Sequence, residues 1–246
     1  MSEFGVYVHI PFCRHRCDYC AFATWTDRDH LMVAYVDAVI ADIARAVEKG
    51  MPVADTVFFG GGTPTRLAPE LLASIVSAIP VTSNAEITVE CNPDDVTVEM
   101  MKIYAAAGVN RISMGVQSMV DHVLQSLGRT HDPANVVKAI SAARAGGITS
   151  INLDLIYGVH GESVDDWRTT VEQTIALQPT HISAYGLTVE AGTPLAEDPS
   201  RHPDDDDQAD KYVLADDLFS AAGLMNYEIS NWALAGHECR HNQVYW

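Results

Sequence analysis

The sequence predicts an α/β fold, a partial (β/α)6 barrel in which a parallel sheet carries one helix after each strand. Short runs of β-branched and aromatic residues alternate with longer segments whose apolar residues recur at helical spacing. Gly or Pro ends most of the helical segments. Strands that alternate with amphipathic helices build parallel sheets, and right-handed crossovers curl such a sheet towards a barrel.

Three strand–helix pairs are predicted in the first half of the chain. Pro69 favours a helix start because its φ is fixed and the first turn does not need its N–H. Gly50, Pro80 and Gly108 each stop a helical repeat. The predicted order is strand 6–10, helix 31–49, strand 56–59, helix 69–79, strand 86–90 and helix 100–107.

Three further pairs follow, and Asp132 and Ser163 are the predicted helix caps. The chain beyond Gly186 is less regular and carries one more helix, at about 208–222. We expect a core over residues 1–225 and, over 226–246, the beginning of a C-terminal region that is cut short, because no polar tail follows. The predicted order is strand 111–114, helix 133–145, strand 151–156, helix 163–175 and strand 181–185.

Composition excludes several classes of protein. The formal net charge of −18 argues against non-specific nucleic-acid binding, which needs Lys and Arg to neutralise phosphates. The sequence contains neither an apolar run as long as a transmembrane segment nor a signal peptide. We therefore expect no transmembrane segment and a location in the cytoplasm.

A cysteine triplet follows the first predicted strand. Cys13, Cys17 and Cys20 are spaced Cys-x3-Cys-x2-Cys, and short loops of this kind bring thiolates together on an iron–sulfur cluster. Three ligands leave one iron of a [4Fe–4S] cube open to another group. A zinc site that adds His15 or His9 is an alternative, although zinc sites usually pair two short ligand units. A disulfide is a weaker alternative, because the chain has five cysteines and no leader.

Polar residues cluster where the predicted strands end. Because the carboxyl ends of parallel strands meet at one edge of the sheet, these side chains should converge beside the cysteines. Their glycines would let backbone approach a ligand. For the glycines alone, the alternative is a plain turn. For Arg129 alone, the alternative is a structural ion pair with Glu90 or Asp154. The set as a whole favours a ligand, and it comprises Gly61, Gly62, Thr63, Glu90, Gln117, Arg129 and Asp154.

Six segments resemble the coproporphyrinogen-oxidase-like radical S-adenosylmethionine (SAM) family across essentially the whole chain. The resemblance implies that Cys13, Cys17 and Cys20 bind [4Fe–4S]. It also implies SAM contacts from Tyr7, Gly61, Gly62, Thr63, Glu90, Gln117, Arg129 and Asp154. The segments are Tyr7-Val-His-Ile-Pro-Phe-Cys13, Gly60-Gly-Gly-Thr-Pro-Thr65, Gly115-Val-Gln-Ser118, Asn152-Leu-Asp-Leu-Ile-Tyr-Gly158, Tyr227-Glu-Ile-Ser-Asn231 and Cys239-Arg-His-Asn242.

Two branches of that family differ at positions where the residues of this sequence distinguish between them. The oxygen-independent coproporphyrinogen III oxidases carry a fourth Cys two residues after the third, where this chain has Phe22. The ending His241-Asn-x-x-Tyr-Trp246 resembles the heme-chaperone branch, where that motif is implicated in heme binding. In one loop, His160 stands where the family usually has Pro, and we assign it no role.

The resemblance therefore implies a chaperone that binds [4Fe–4S], SAM and heme and delivers heme to hemoproteins such as respiratory cytochromes. His241 is the candidate heme ligand, with His237 and His9 as rivals. The main alternative is an oxidase of porphyrin biosynthesis, which decarboxylates coproporphyrinogen III with SAM. A third possibility is an iron–sulfur protein without SAM. Whether the chain is an enzyme stays open at this point, but we do not expect oxidase activity.

Overall fold

The structure is a computed structural model and describes residues 3–245. All six predicted strand–helix pairs are present, with the strands one to six residues longer than predicted. The structure also contains three short helices and a C-terminal hairpin of two strands that were not predicted. The strands are β1 (Gly5–Ile10), β2 (Ala54–Gly61), β3 (Val81–Cys91), β4 (Arg111–Gln117), β5 (Ser150–Tyr157), β6 (His181–Gly186), β7 (Met225–Glu228) and β8 (Asn231–Ala233).

Helices follow the strands in the expected alternation. Predicted caps are confirmed: the Asp132 side chain accepts from Ala134 N at 2.8 Å, and Ser163 and Asp166 form a capping box. Gly108 ends its helix with φ 105°, a conformation that favours glycine. The helices are α1 (Met32–Glu48), α2 (Pro69–Ala78), α3 (Val98–Ala107), α4 (Asp121–Ser126), α5 (Pro133–Ala145), α6 (Val164–Ala176), α7 (Pro194–Glu197), α8 (Asp205–Ala221) and α9 (Arg240–Gln243).

The sheet is open, with strand order β1-β2-β3-β4-β5-β6-β8-β7. Strands β1 to β6 pair in parallel, whereas β8 is antiparallel to both β6 and β7. The predicted partial barrel is therefore confirmed. The predicted boundary between residues 225 and 226 falls inside β7, a strand of this same sheet. The division into a core and a C-terminal region stays a prediction.

The two faces of the sheet differ in polarity. On β4, Ile112, Met114 and Val116 belong to the hydrophobic core, and they alternate with Arg111 and Ser113. The same alternation places Asn152 and Asp154 of β5 opposite apolar neighbours. We call the side that carries Arg111, Ser113, Asn152 and Asp154 the polar face. α9 packs on this face against β2. No helix among residues 3–245 is long and apolar enough to cross a membrane.

Candidate functional site

The cysteine loop begins where β1 ends. Phe12 forms a parallel bridge with Trp25, and Cys13 N donates to the Trp25 carbonyl at 3.0 Å. A tight turn follows, in which Cys20 N donates to Cys17 O at 3.1 Å. These backbone bonds bring all three thiols to the wall of one cavity of about 750 Å³.

The three thiols are free to act as cluster ligands. All five cysteines are free, which excludes the disulfide alternative in this structure. Among the described residues, no three His, Cys, Asp or Glu side chains are close enough to hold one metal ion. A [4Fe–4S] cube takes each thiolate on a different iron, so three thiols that line one cavity suit it.

The strand-end residues converge on the same cavity. Gly61 has φ 107°, and a Cβ on Gly62 would lie 2.7 Å from the Phe12 carbonyl oxygen, so both positions require glycine. Thr63 Oγ1 lies 3.6 Å from Cys13 Sγ, which joins the glycine loop to the cysteine loop. The predicted residues that line the cavity are Gly61, Gly62, Thr63, Glu90, Gln117, Arg129 and Asp154.

Two carboxyl groups that face this cavity have raised pKa values. Burial and the nearby charge of Asp154 raise the pKa of Glu90 to about 8, and burial raises the pKa of Asp154. Gly61 N donates to Glu90 Oε2 at 3.2 Å, and Ser113 Oγ donates to Asp154 Oδ2 at 2.9 Å. A ligand that carries hydroxyl or cationic groups would be complementary to this acidic pair.

Arg129 is held beside the cysteines and not by those carboxylates. Its Nη2 donates to the Gly115 carbonyl at 2.7 Å, and its Nη1 lies 3.6 Å from Cys17 Sγ. A bulge in β4 exposes that carbonyl, and it leaves Gln117 with φ 63°. No ion pair of Arg129 with Glu90 or Asp154 occurs among residues 3–245. The purely structural pairing is therefore not observed.

Tyr7 and His241 lie outside the residues that line the cavity. Tyr7 is 47% exposed, and its ring stacks on Phe58 with centroids 6.3 Å apart. Phe58 in turn stacks on His241 at 5.3 Å. His241 is only 4% exposed, whereas the rival His9 binds the Ala23 carbonyl through Nε2 at 2.9 Å. Trp246, the last residue of the predicted heme motif, lies outside the described residues.

A polar network that the sequence analysis missed lies on the polar face beside the cavity and holds Asp154 in place. Asn152 Nδ2 donates to Ser113 Oγ and to Asp154 Oδ1, each at 2.7 Å. His181 Nδ1 lies 2.6 Å from Asn152 Oδ1, and its Nε2 lies 2.8 Å from Tyr227 Oη. The signal was present in the sequence, because polar residues at i and i+2 of β4, β5 and β6 share one face.

Comparisons with known proteins agree with this arrangement. A model of the Radical SAM superfamily matches residues 7–174. The solved structure of coproporphyrinogen III oxidase (HemN) from Escherichia coli, described as a radical SAM enzyme, superimposes with a TM-score of 0.87 at 25% identity. That match covers 96% of this chain and 57% of HemN.

The fold, the cysteine triplet and the family match together define a radical SAM protein. Among curated proteins, the heme chaperone HemW of Mycobacterium tuberculosis is 42% identical over 100% of this chain and 66% of its own length. HemW of Escherichia coli is 38% identical, over 100% of this chain and 67% of the relative. The chain thus belongs to the heme chaperone HemW family, and it spans about two thirds of the length of these relatives. Family membership implies a [4Fe–4S] cluster and SAM.

Proposed function

We propose that this chain is the radical SAM part of a heme chaperone, which binds [4Fe–4S], SAM and heme and delivers heme to hemoproteins such as respiratory cytochromes. The observation that carries the proposal is the 42% identity with a HemW protein along the whole chain, including the ending around His241. SAM and heme are the small-molecule partners, the acceptor is a hemoprotein, and the cytoplasm is the location.

In this proposal, each group at the cavity has a task. Cys13, Cys17 and Cys20 would hold the cluster, and Arg129 would neutralise the thiolate of Cys17. The Gly61–Thr63 segment would present backbone groups to SAM, while Glu90 and Asp154 would accept hydrogen bonds from it. The bound cluster and SAM supply any redox chemistry, and the protein orients them. Tyr7 would reach SAM from the exposed edge of β1.

The alternative function is that of an oxidase, because HemN shares this fold. Phe22 occupies the position of the fourth cysteine and is 66% exposed at the cavity wall. A phenyl ring at that position cannot act as a thiolate. We therefore expect no coproporphyrinogen III oxidase activity.

Measurements of heme binding and of decarboxylation distinguish the chaperone function from the oxidase function. The full-length protein, reconstituted anaerobically, should show a Soret band on titration with heme and should release no CO2 from coproporphyrinogen III with SAM and reductant. His241→Ala should shift or weaken that band while the iron–sulfur absorbance persists. His9→Ala and His237→Ala are the matched controls. Steady CO2 release would establish the oxidase, and a Soret band unchanged in His241→Ala would remove this ligand.

A further inference from the structure

The segment that carries His241 is anchored to β3 through one carboxylate. Glu86 accepts hydrogen bonds from His241 N at 3.0 Å and from Arg240 N at 3.2 Å, and its Oε1 lies 3.6 Å from Cys239 Sγ. Arg240 also donates to the Asn84 carbonyl at 2.8 Å. These contacts fix the backbone at residue 241, so the imidazole has a defined place on the polar face.

The two ring nitrogens of His241 have different environments. Nδ1 lies 2.8 Å from Oγ1 of Thr56, a residue that is fully buried on β2. Nε2 is buried too and has no hydrogen-bond partner among residues 3–245. Gly5 makes room for the pair, because a Cβ there would lie 2.9 Å from Thr56 Oγ1 and 3.2 Å from His241 Nδ1.

This difference determines where the proton lies. A neutral imidazole has one N–H and one lone pair, so the surroundings of its two nitrogens decide which nitrogen carries the proton. Buried N–H groups without an acceptor are rarer in proteins than under-used acceptors. A proton on Nε2 would be such an unpaired donor, whereas a proton on Nδ1 can be donated to Thr56 Oγ1. The lone pair is then on Nε2.

We propose that Thr56 is a positioning residue that holds His241 in the Nδ1–H tautomer and thereby reserves Nε2 as the atom that ligates heme iron. The consequence for heme rests on the proposed function, whereas the tautomer does not. When one ring nitrogen of a histidine binds a metal, a hydrogen bond donated by the other ring nitrogen fixes the orientation of the ring and raises the basicity of the ligand. Because Nε2 is buried, a neighbour must move to admit heme. Tyr245 packs edge-on against the ring at 5.7 Å and is 72% exposed, whereas Phe58, the other ring beside His241, is half-buried.

The tautomer can be measured without heme. In the apo-protein, nitrogen-15 NMR of the histidine rings, assigned with His241→Ala, should show a protonated Nδ1 and an unprotonated Nε2 for His241. In Thr56→Val this preference should be lost, and Thr56→Ser should restore it because the hydroxyl is kept. A wild-type His241 protonated at Nε2 would overturn the assignment.

Heme affinity then tests the positioning role in the full-length protein. Thr56→Val should weaken heme binding about 10- to 100-fold, as outer-sphere substitutions do at metal sites. Thr88→Val is the matched control: Thr88 is fully buried on the adjacent strand, and its hydroxyl has no partner among residues 3–245. Equal heme affinities in Thr56→Val and Thr88→Val would overturn the role of Thr56. Unchanged affinity in His241→Ala would instead overturn the ligand assignment under the proposed function, and the NMR result would still decide the tautomer.

Discussion

The two ends of the polar face use the same kinds of side chain in opposite ways. At the carboxyl ends of the strands, which we call the mouth, Glu90 and Asp154 face an open cavity of about 750 Å³ and have raised pKa values. At the amino ends, which we call the floor, Glu86 binds the segment around α9, and His181 binds Asn152 and Tyr227. The carboxyl groups at the mouth line a cavity that is open to a ligand, whereas Glu86 and His181 at the floor chiefly hold the fold.

The largest expected effect is at the mouth. Cys17→Ala should abolish the brown chromophore and the roughly four irons per chain that anaerobic reconstitution gives, because a thiolate ligand is lost. Cys91→Ala is the control, since Cys91 also borders the cavity but lies at the end of β3 and not in the cysteine loop. Iron analysis and absorbance measure the outcome. Full iron content in Cys17→Ala would refute the role of this loop.

Asn152 joins the mouth to the floor, so its removal should affect stability most. Asn152→Ala leaves groups of Ser113, Asp154 and His181 without their shared partner. Because each unsatisfied buried group costs about 1–3 kcal/mol, we expect the free energy of unfolding to fall by about 3 kcal/mol or more in urea titrations. Asn135→Ala removes a half-buried side chain whose hydrogen bond to Asp94 lies at the surface, and it should change the free energy of unfolding by less than about 0.5 kcal/mol. Similar values for the two variants would show that the network adds no stability.

SAM affinity should depend on charged residues at the mouth. Arg129→Ala and Asp154→Ala should each weaken SAM binding by about 1.5–3 kcal/mol, or roughly 10- to 150-fold, because each removes a charged hydrogen-bonding group. Calorimetry on cluster-loaded protein measures this loss. Arg45→Ala, which removes an exposed arginine paired with Asp42, should leave SAM binding unchanged. An unchanged SAM titration in Asp154→Ala would reject its assignment.

The most gradual expected effect is the pH dependence that Glu90 confers on the stability of the apo-protein. Because its folded pKa of about 8 exceeds the ordinary value of 4.5, the folded state holds the proton more tightly. This contribution to stability is present at low pH and is lost as the pH rises from about 4.5 to 8. Relative to Glu90→Gln, the wild type should lose about 1 kcal/mol per pH unit or less. Glu172→Gln, at an exposed position, should follow the wild type; parallel curves for wild type and Glu90→Gln would contradict the raised pKa.

The sequence alone was sufficient to predict helices and strands whose apolar pattern extends over many residues. The helix around Val36 and Ile43 and the strands around Phe59 and Leu153 were found because their periodicity reports which face is buried. The hairpin of β7 and β8 was missed, since these strands are short and β8 pairs with β6 about 50 residues earlier. Helix α4 has six residues, too few to show a repeat.

For the site, too, features that depend on local sequence were predicted, and those that depend on contacts between distant residues were not. Cysteine spacing and strand-end placement identified the mouth, because both depend on local sequence and on a general property of parallel sheets. The bulge that gives Gln117 a positive φ has no sequence signature here. The contacts of His241 with Thr56 and Glu86 join residues 185 and 155 positions apart, which local patterns cannot reveal. The assignments of individual residues to SAM and heme stay predictions.

The anchoring of α9 on β2 and β3 also bears on the order of folding. Translation delivers the chain from its N-terminus, so β1 to β6 and their helices can assemble before residues 239–243 leave the ribosome. The contacts of Glu86 with residues 239–241 span more than 150 positions and have a high closure entropy. Until they form, Glu86 and Thr56 lack their C-terminal partners. A nascent chain whose sheet is paired before residues 239–243 emerge would have an uncovered floor, and that surface would be open to aggregation and to chaperone capture.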